Sequence, residues 1–246
     1  LHVHKGRVAV AGGKAVLCEK PVVLDRGVCG GQIVVAAATD SYLMEGMWTW
    51  FLPAVRRALD WYRAGRIGEL VHVKSDFGYP IQYGERVREY DARLGGGAVL
   101  EMGIYPVAIA RLFIGRSPGS IQVSGRRAPN GVEDDMVAIC DYGDCTATLG
   151  TSFRCKLPNW TWLVGTEGTI AIPDFWCARR CLLYHLDRVV DEFDDGRSTD
   201  GFDYEIAAAS AEIAGGEKQS ATMPLATSLA LQEDMARLCR AIPATD

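Results

Sequence analysis

The sequence of 246 residues has few metal ligands of the usual kind: only four histidines, and eight cysteines (18, 29, 140, 145, 155, 177, 181 and 239) that form no Cys-x-x-Cys pair. Cys177 and Cys181 are the only near pair, so the pattern reads as free thiols in a reducing cytoplasm and not as a zinc site or disulfide framework. Basic charge is also scarce: Lys plus Arg number 26 against 31 for Asp plus Glu, the net charge is -5, and no basic block of five or more occurs. That leaves no electrostatic footprint for nucleic acid. Long apolar runs are missing as well, the most apolar stretch being Ile33 to Ala38, far short of the ~20 residues of a membrane span. No Gly-x-Gly-x-x-Gly turn with an acidic or basic residue ~20 positions on appears, so the usual cradle for a dinucleotide pyrophosphate is absent from the sequence. What is present is ordinary globular material: 48% hydrophobic, 9% aromatic and 23% charged residues, at a length that allows one large domain or two small ones at ~150 residues each.

The first part reads as alternating α/β. Val8 to Ala11 close a short helix or turn that Gly12-Gly13 break, and Ala15 to Cys18 form a short buried strand. A helix is expected from Asp25 through Ala38, and Tyr42 to Met47 form a second strand, parallel to the first. After Met47 the pattern changes. Phe51, Val55, Ala58, Leu59 and Tyr62 make an amphipathic stripe that Gly65 ends with a left-handed cap. Val71, Val73, Ser75, Phe77 and Tyr79 alternate with polar neighbours, the period of a strand with one buried face. Further strands are expected at 121–127, 136–142, 146–153, 160–164 and 169–172, and across 182–193 folded near Asp187. Their short connections imply antiparallel pairing. Helices near 202–214 and 226–242 finish the chain.

Three stretches stand out chemically. Leu17 to Pro21 puts Lys20 at the carboxyl end of a parallel strand, where open α/β sheets hold their ligands. Gly95-Gly96-Gly97 opens a helix that sets Glu101 and Tyr105 four apart on one face. Gly165-Thr166-Glu167-Gly168 is a tight strand-turn-strand. Each alone has an ordinary reading, as a solvated lysine, a helix surface pair and a glycine loop.

In their order and with their flanks, these residues resemble the Gfo/Idh/MocA oxidoreductases over nearly the whole chain. Leu43 to Thr49, Phe51 to Ala54, Gly65 to Gly68, Ile172 to Trp176, Gly201 to Ile206, Met223 to Leu225 and Ser228 to Leu231 look like the branch of dimeric dihydrodiol dehydrogenase. The resemblance implies an NADP- or NAD-dependent oxidoreductase of sugar-like, polyol or diol hydroxyls. Lys20 corresponds to the family's catalytic lysine and Tyr105 falls where this branch carries its acid/base. Glu101, Trp48 and Trp50 are the implied substrate-binding residues, Glu19, Lys20 and Pro21 the implied cofactor-binding ones, and no metal is implied. The chemistry suits the pair, because hydride transfer at a carbinol carbon needs a proton to move at its oxygen, and an ammonium nearby makes a tyrosine a better acid/base.

Departures accompany the likeness. Glu101 stands where the family carries Asp, and Trp50 replaces an arginine. Residues 1–48 are expected to be the remnant of a Rossmann domain, beginning after its first strands. Residues 49–246 are expected to form the C-terminal α/β substrate and dimerisation domain, a large, mainly antiparallel open sheet with helices on one face. The other face, rich in Trp160 and Trp162, is expected to bury itself in a homodimer. The sequence therefore supports an enzyme that needs a longer form for activity, or a non-catalytic binding or dimerisation module derived from one.

Overall fold

The computed structural model describes residues 2–21, 26–84 and 87–243. The chain divides into two compact units, Leu1–Phe51 with Ser198–Glu233, and Leu52–Arg197 with Asp234–Asp246. The sequence-based cut after residue 48 falls close to the end of the first segment, but 198–233, assigned by sequence to the second domain, packs with the first unit.

In the first unit α1 (His2–Ala11), β1 (Val16–Glu19), α2 (Arg26–Ala38) and β2 (Leu43–Gly46) alternate. The two strands pair in parallel, from Val16↔Leu43 to Glu19↔Gly46. Val10, Ala36 and Leu43 make a small core against which Val16, Ile33, Val35 and Leu225 pack. The expected helix start at Asp25 lies outside the described residues. β2 is buried along its whole length and runs into a buried 3₁₀ turn, Trp48–Phe51. α5 (Phe202–Ala214) belongs to the same unit, and α6 (Leu225–Ala241) begins in it.

In the second unit α3 (Pro53–Arg63) begins with a proline at its first position, where a missing N–H costs nothing. It buries Ala54, Val55, Ala58, Leu59 and Trp61 and is followed by Gly65 at φ 70°. Phe51, expected in this stripe, belongs instead to the preceding turn. Eight strands then form one sheet: β3 (Leu70–Gly78), β4 (Ser120–Arg127), β5 (Glu133–Asp141), β6 (Thr146–Ser152), β7 (Thr161–Gly165), β8 (Thr169–Ile172), β9 (Arg180–His185) and β10 (Arg188–Asp194). Their spatial order is β10-β9-β8-β7-β3-β6-β5-β4. The short connections are antiparallel hairpins as expected, but β3 and β6 are parallel. Long-range crossover through α4 (Ile104–Ile114), β4 and β5 returns the chain beside β3 in the same direction. The sheet is therefore mixed, with one parallel junction near its centre.

α3 packs on β8, β9 and β10, and α4 on β3 and β6. Val73, Leu149, Leu163 and Ile170 are buried, whereas Val137 and Ile139 on β5 are 49% and 47% exposed. One helical run, Ala92–Ile114, is long and apolar enough to cross a bilayer, and 67% of its apolar window is buried inside the protein, as in the core helix of a globular fold.

The turn after β8 is held by a buried ion pair. Arg197 and Asp195 side chains are 3% and 2% exposed. The Arg197 guanidinium bonds Asp195 and donates to the carbonyls of Ala178 at 2.6 Å and Cys177 at 2.5 Å. Asp195→Ala would leave that guanidinium buried without its anion, and we expect a loss of about 3–5 kcal/mol. The exposed Arg66–Asp191 pair, 3.3 Å apart with side chains 42% and 39% exposed, should cost no more than about 1 kcal/mol when Asp191 becomes Ala. Urea unfolding of the two variants checks the contrast; equal losses would contradict it.

Candidate active site

In the first unit the candidate residues stand at the carboxyl ends of the parallel strands. β1 ends at Glu19, and Lys20 and Pro21 follow across a cis peptide bond. β2 ends at Gly46, opposite Glu19 in the ladder. Trp48, just beyond, stacks on Phe202 of α5, with ring centroids 4.3 Å apart and planes at 18°. Trp50 is only 4% exposed, and its indole Nε1 has no hydrogen-bond partner among the described residues. Phe202 was missed as a site residue, although its Gly-Phe-Asp-Tyr-Glu context was visible in the sequence.

In the second unit Tyr105 lies in the first turn of α4 and is 8% exposed. Its ring meets Phe77 edge-on at 5.3 Å and Trp176 at 6.5 Å, and Trp176 stacks on Phe77 at 5.0 Å. Phe77 is an inward residue of β3, and Trp176 sits in the turn clasped by Arg197. The tyrosine is thus boxed by two aromatic rings that sequence reasoning did not single out. Alternation in β3 identified Phe77 as buried, and nothing local marked Trp176 as its partner.

Glu101 and Tyr105 do not lie on a regular α-helix. Val99–Gly103 is a π-helical turn leading into α4, a widened geometry found mostly at functional sites. The Glu101 carboxylate is bonded by the guanidinium of Arg88, which also lies 3.6 Å from Glu89. Arg88 carried no signal in the sequence, being one charge in a polar stretch. Its turn is anchored by Tyr90, whose hydroxyl donates to the Ile81 carbonyl at 3.0 Å and whose ring packs with Ala98 and Phe153.

The triple glycine has a packing reason. Gly97 lies at φ +127°, and a Cβ there would come within 2.2 Å of Glu133 Oε1. Burial pushes the Glu133 carboxyl up from its ordinary pKa, with Arg127 3.9 Å away opposing the shift.

Residues 55–171 match the model of the GFO/IDH/MocA C-terminal domain. The chain is 31% identical over 242 residues to trans-1,2-dihydrobenzene-1,2-diol dehydrogenase of Danio rerio, covering 95% of this chain and 72% of that protein. It is 30% identical over 255 residues to the Homo sapiens enzyme of the same name, covering 98% and 75%. Among solved structures it is similar to an aldose-aldose oxidoreductase from Caulobacter crescentus complexed with glycerol, with a TM-score of 0.88, 21% identity, and coverage of 98% and 73%. It is also similar to a 3-ketoreductase from Actinomadura kijaniata in complex with NADP and TDP-benzene, with a TM-score of 0.84, 23% identity, and coverage of 98% and 75%. These two likenesses concern the fold.

Gly97→Ala should lose about 2–5 kcal/mol, since backbone strain and overpacking add at one position. Gly131, at φ +84° with nothing within 4 Å of an added Cβ, should lose only the left-handed penalty of about 1–2 kcal/mol on the same change. Chemical denaturation of both variants decides whether the Glu133 contact carries the difference.

Proposed function

The chain belongs to the Gfo/Idh/MocA oxidoreductases, and from that membership and the surroundings of Tyr105 we propose an NAD(P)-dependent dehydrogenase of a sugar-like or diol hydroxyl. The observation that carries this reading is the aromatic box: Tyr105 lies in the first turn of α4, with Phe77 and Trp176 against its ring. Flat aromatic faces suit the C–H face of a small ring, and the phenol supplies the polar group that orients a hydroxyl. A trans-1,2-diol on a six-membered ring, the substrate class named for the vertebrate relatives, fits that chemistry.

In this reading Tyr105 is the acid/base. Its phenolate oxygen takes the proton of the reacting hydroxyl during oxidation and returns it during reduction. Lys20 stabilises the phenolate, because a nearby ammonium favours the anion, and polarises the substrate oxygen. The reading requires both side chains to converge on one oxygen. Glu101, held by Arg88, binds a second hydroxyl, and Trp48 and Trp50 line the substrate side of the first unit. The nicotinamide dinucleotide, when bound, accepts or supplies the hydride. The part of this chain placed to hold it is Glu19–Lys20–Pro21, since the carboxyl ends of parallel strands are where such ligands lie. The sequence holds no glycine turn for the pyrophosphate, so the fit extends to the nicotinamide end only. The unbridged thiols of Cys18, Cys140 and Cys181 suit a reducing compartment such as the cytoplasm.

We assign the open sheet face to a homodimer. Trp160 and Trp162 stack there at 5.3 Å, and Trp162 lies 5.9 Å from Tyr184. Beside Trp162 and Tyr184 is a depression of about 430 Å³ lined also by Lys74, Val164, Thr169, Leu186 and Asp187. With Val137 and Ile139 this is a wide apolar surface, of the kind that marks an interface.

Tyr105→Phe should slow oxidation of a cyclic trans-diol by about 10²–10⁴-fold with little change in cofactor affinity, read by steady-state and single-turnover absorbance of NAD(P)H. The measurement uses a longer form that carries the pyrophosphate turn: unchanged turnover in the variant would remove Tyr105 from the chemistry, and no turnover of diols or sugars by the unaltered longer form would favour a non-catalytic binding module. Light scattering at micromolar concentration should return a dimer mass, reduced to a monomer by Trp162→Glu; a monomer in both would refute the sheet-face assembly.

A further inference from the structure

Glu205 is a buried charge-bearing group that the proposed reaction leaves unused. It lies in the first turn of α5 and is 2% exposed, and its Oε2 has no hydrogen-bond partner among the described residues. That oxygen is aimed at the ends of the parallel strands: a Cβ placed on Gly46 would come within 3.6 Å of it, 3.3 Å from the Cys18 carbonyl and 3.5 Å from the Glu19 Cα. Gly46 therefore makes the floor on which the carboxyl rests. Three residues earlier in the same turn, Phe202 stacks on Trp48, so the turn that carries Glu205 also carries one ring of that stack.

The charge that acts on this carboxyl is of its own sign: Glu19, opposite Gly46 in the β1–β2 ladder, while Asp203 of α5 is exposed and bonded by Thr199. Cys18 stays a neutral thiol, pushed up to about 11 by burial and by Glu45 and Glu19. Lys20 is the only lysine or arginine in the segments 16–21, 43–51 and 199–206. The amino end of α5 favours an anion, but burial and the nearby Glu19 outweigh it and push Glu205 up to about 7.

We propose that Glu205 is a positioning residue that works as a neutral acid: protonated and seated against Gly46, it docks the first turn of α5, and with it Phe202, onto Trp48. The inference rests on the proposed function only in counting Trp48 as part of the substrate side. The sign follows from linkage. A carboxyl raised from its ordinary 4.5 to about 7 in the folded state contributes docking strength that is whole below 4.5 and is lost as the pH rises through 7. Above that the carboxylate must be buried beside Glu19 or α5 must lift.

The test is amide hydrogen exchange on the whole chain at pH 5 and pH 7.5, corrected for the intrinsic exchange rate, followed in peptides covering 41–52 and 198–210. Protection of both peptides should fall at least about tenfold between the two pH values, while Glu205→Gln, which keeps the shape without the charge, should hold its protection at both. Wild-type protection that does not change with pH overturns the proposal, as does a Gln variant whose protection falls with pH as steeply as the wild type's. Should the Gln variant fail to fold, the wild-type exchange decides together with the carboxyl resonance of ¹³C-labelled Glu205: titration near 7 supports the neutral acid, and ionisation near 4.5 refutes it. Neither readout uses turnover, so a failure of the proposed dehydrogenase activity would leave this result standing and the reverse also holds.

Discussion

The register of β3 decides what can stand beside Tyr105. This strand lies inside the eight-stranded sheet, paired in parallel with β6 from His72↔Thr146 to Gly78↔Ser152 and antiparallel with β7. Because successive side chains alternate between faces, that double pairing sends Val73, Ser75 and Phe77 to the covered side and Lys74 to the open one. A slip of one residue would exchange the sets and take Phe77 away from Tyr105 and Trp176. Ser75 adds a pin of its own, a 2.7 Å hydroxyl contact with Thr161 across the β3–β7 ladder.

From that register the rest of the second unit follows. α4 lies on β3 and β6, and its approach is widened by the π turn at Val99–Gly103. Thr151 of β6 donates to the Ala98 carbonyl at 3.1 Å, a side-chain partner for backbone at the start of that widened turn. The loop holding Trp176 is fastened at its far side by Arg197, so the ring that stacks on Phe77 is supported through the backbone carbonyls behind it. The wall around Tyr105 thus rests on buried and main-chain contacts.

What was legible in the sequence is what short-range physics determines. Period-two alternation exposed β3, the stripe from Val55 to Tyr62 exposed α3, and Gly65 marked its end, since a positive φ leaves few other choices. The order of motifs also placed Lys20, Glu101 and Tyr105 on a common family pattern. What was hidden depends on partners distant in the chain. The parallel β3–β6 junction needs the whole crossover to be assembled before it exists, the return of 198–233 to the first unit has no local sign, and Arg88 becomes a partner of Glu101 only when its turn folds onto Ala98. Trp176 and Glu205 were visible as parts of motifs, but a motif names a residue without saying which surface it meets.

Two buried acids in this chain show why burial alone does not decide function. Asp195 and Glu205 are both almost wholly removed from water. Asp195 meets a guanidinium that is itself bonded to two carbonyls, so its charge is balanced where it is created and the pair acts as a structural clasp. Glu205 meets a glycine, a backbone edge and the charge of Glu19, so burial favours keeping its proton. The first arrangement fastens a turn, and the second converts a proton into a packing force. The second stands against Gly46 on the turn of α5 that stacks Phe202 on Trp48, so one turn carries both the proton and the stack.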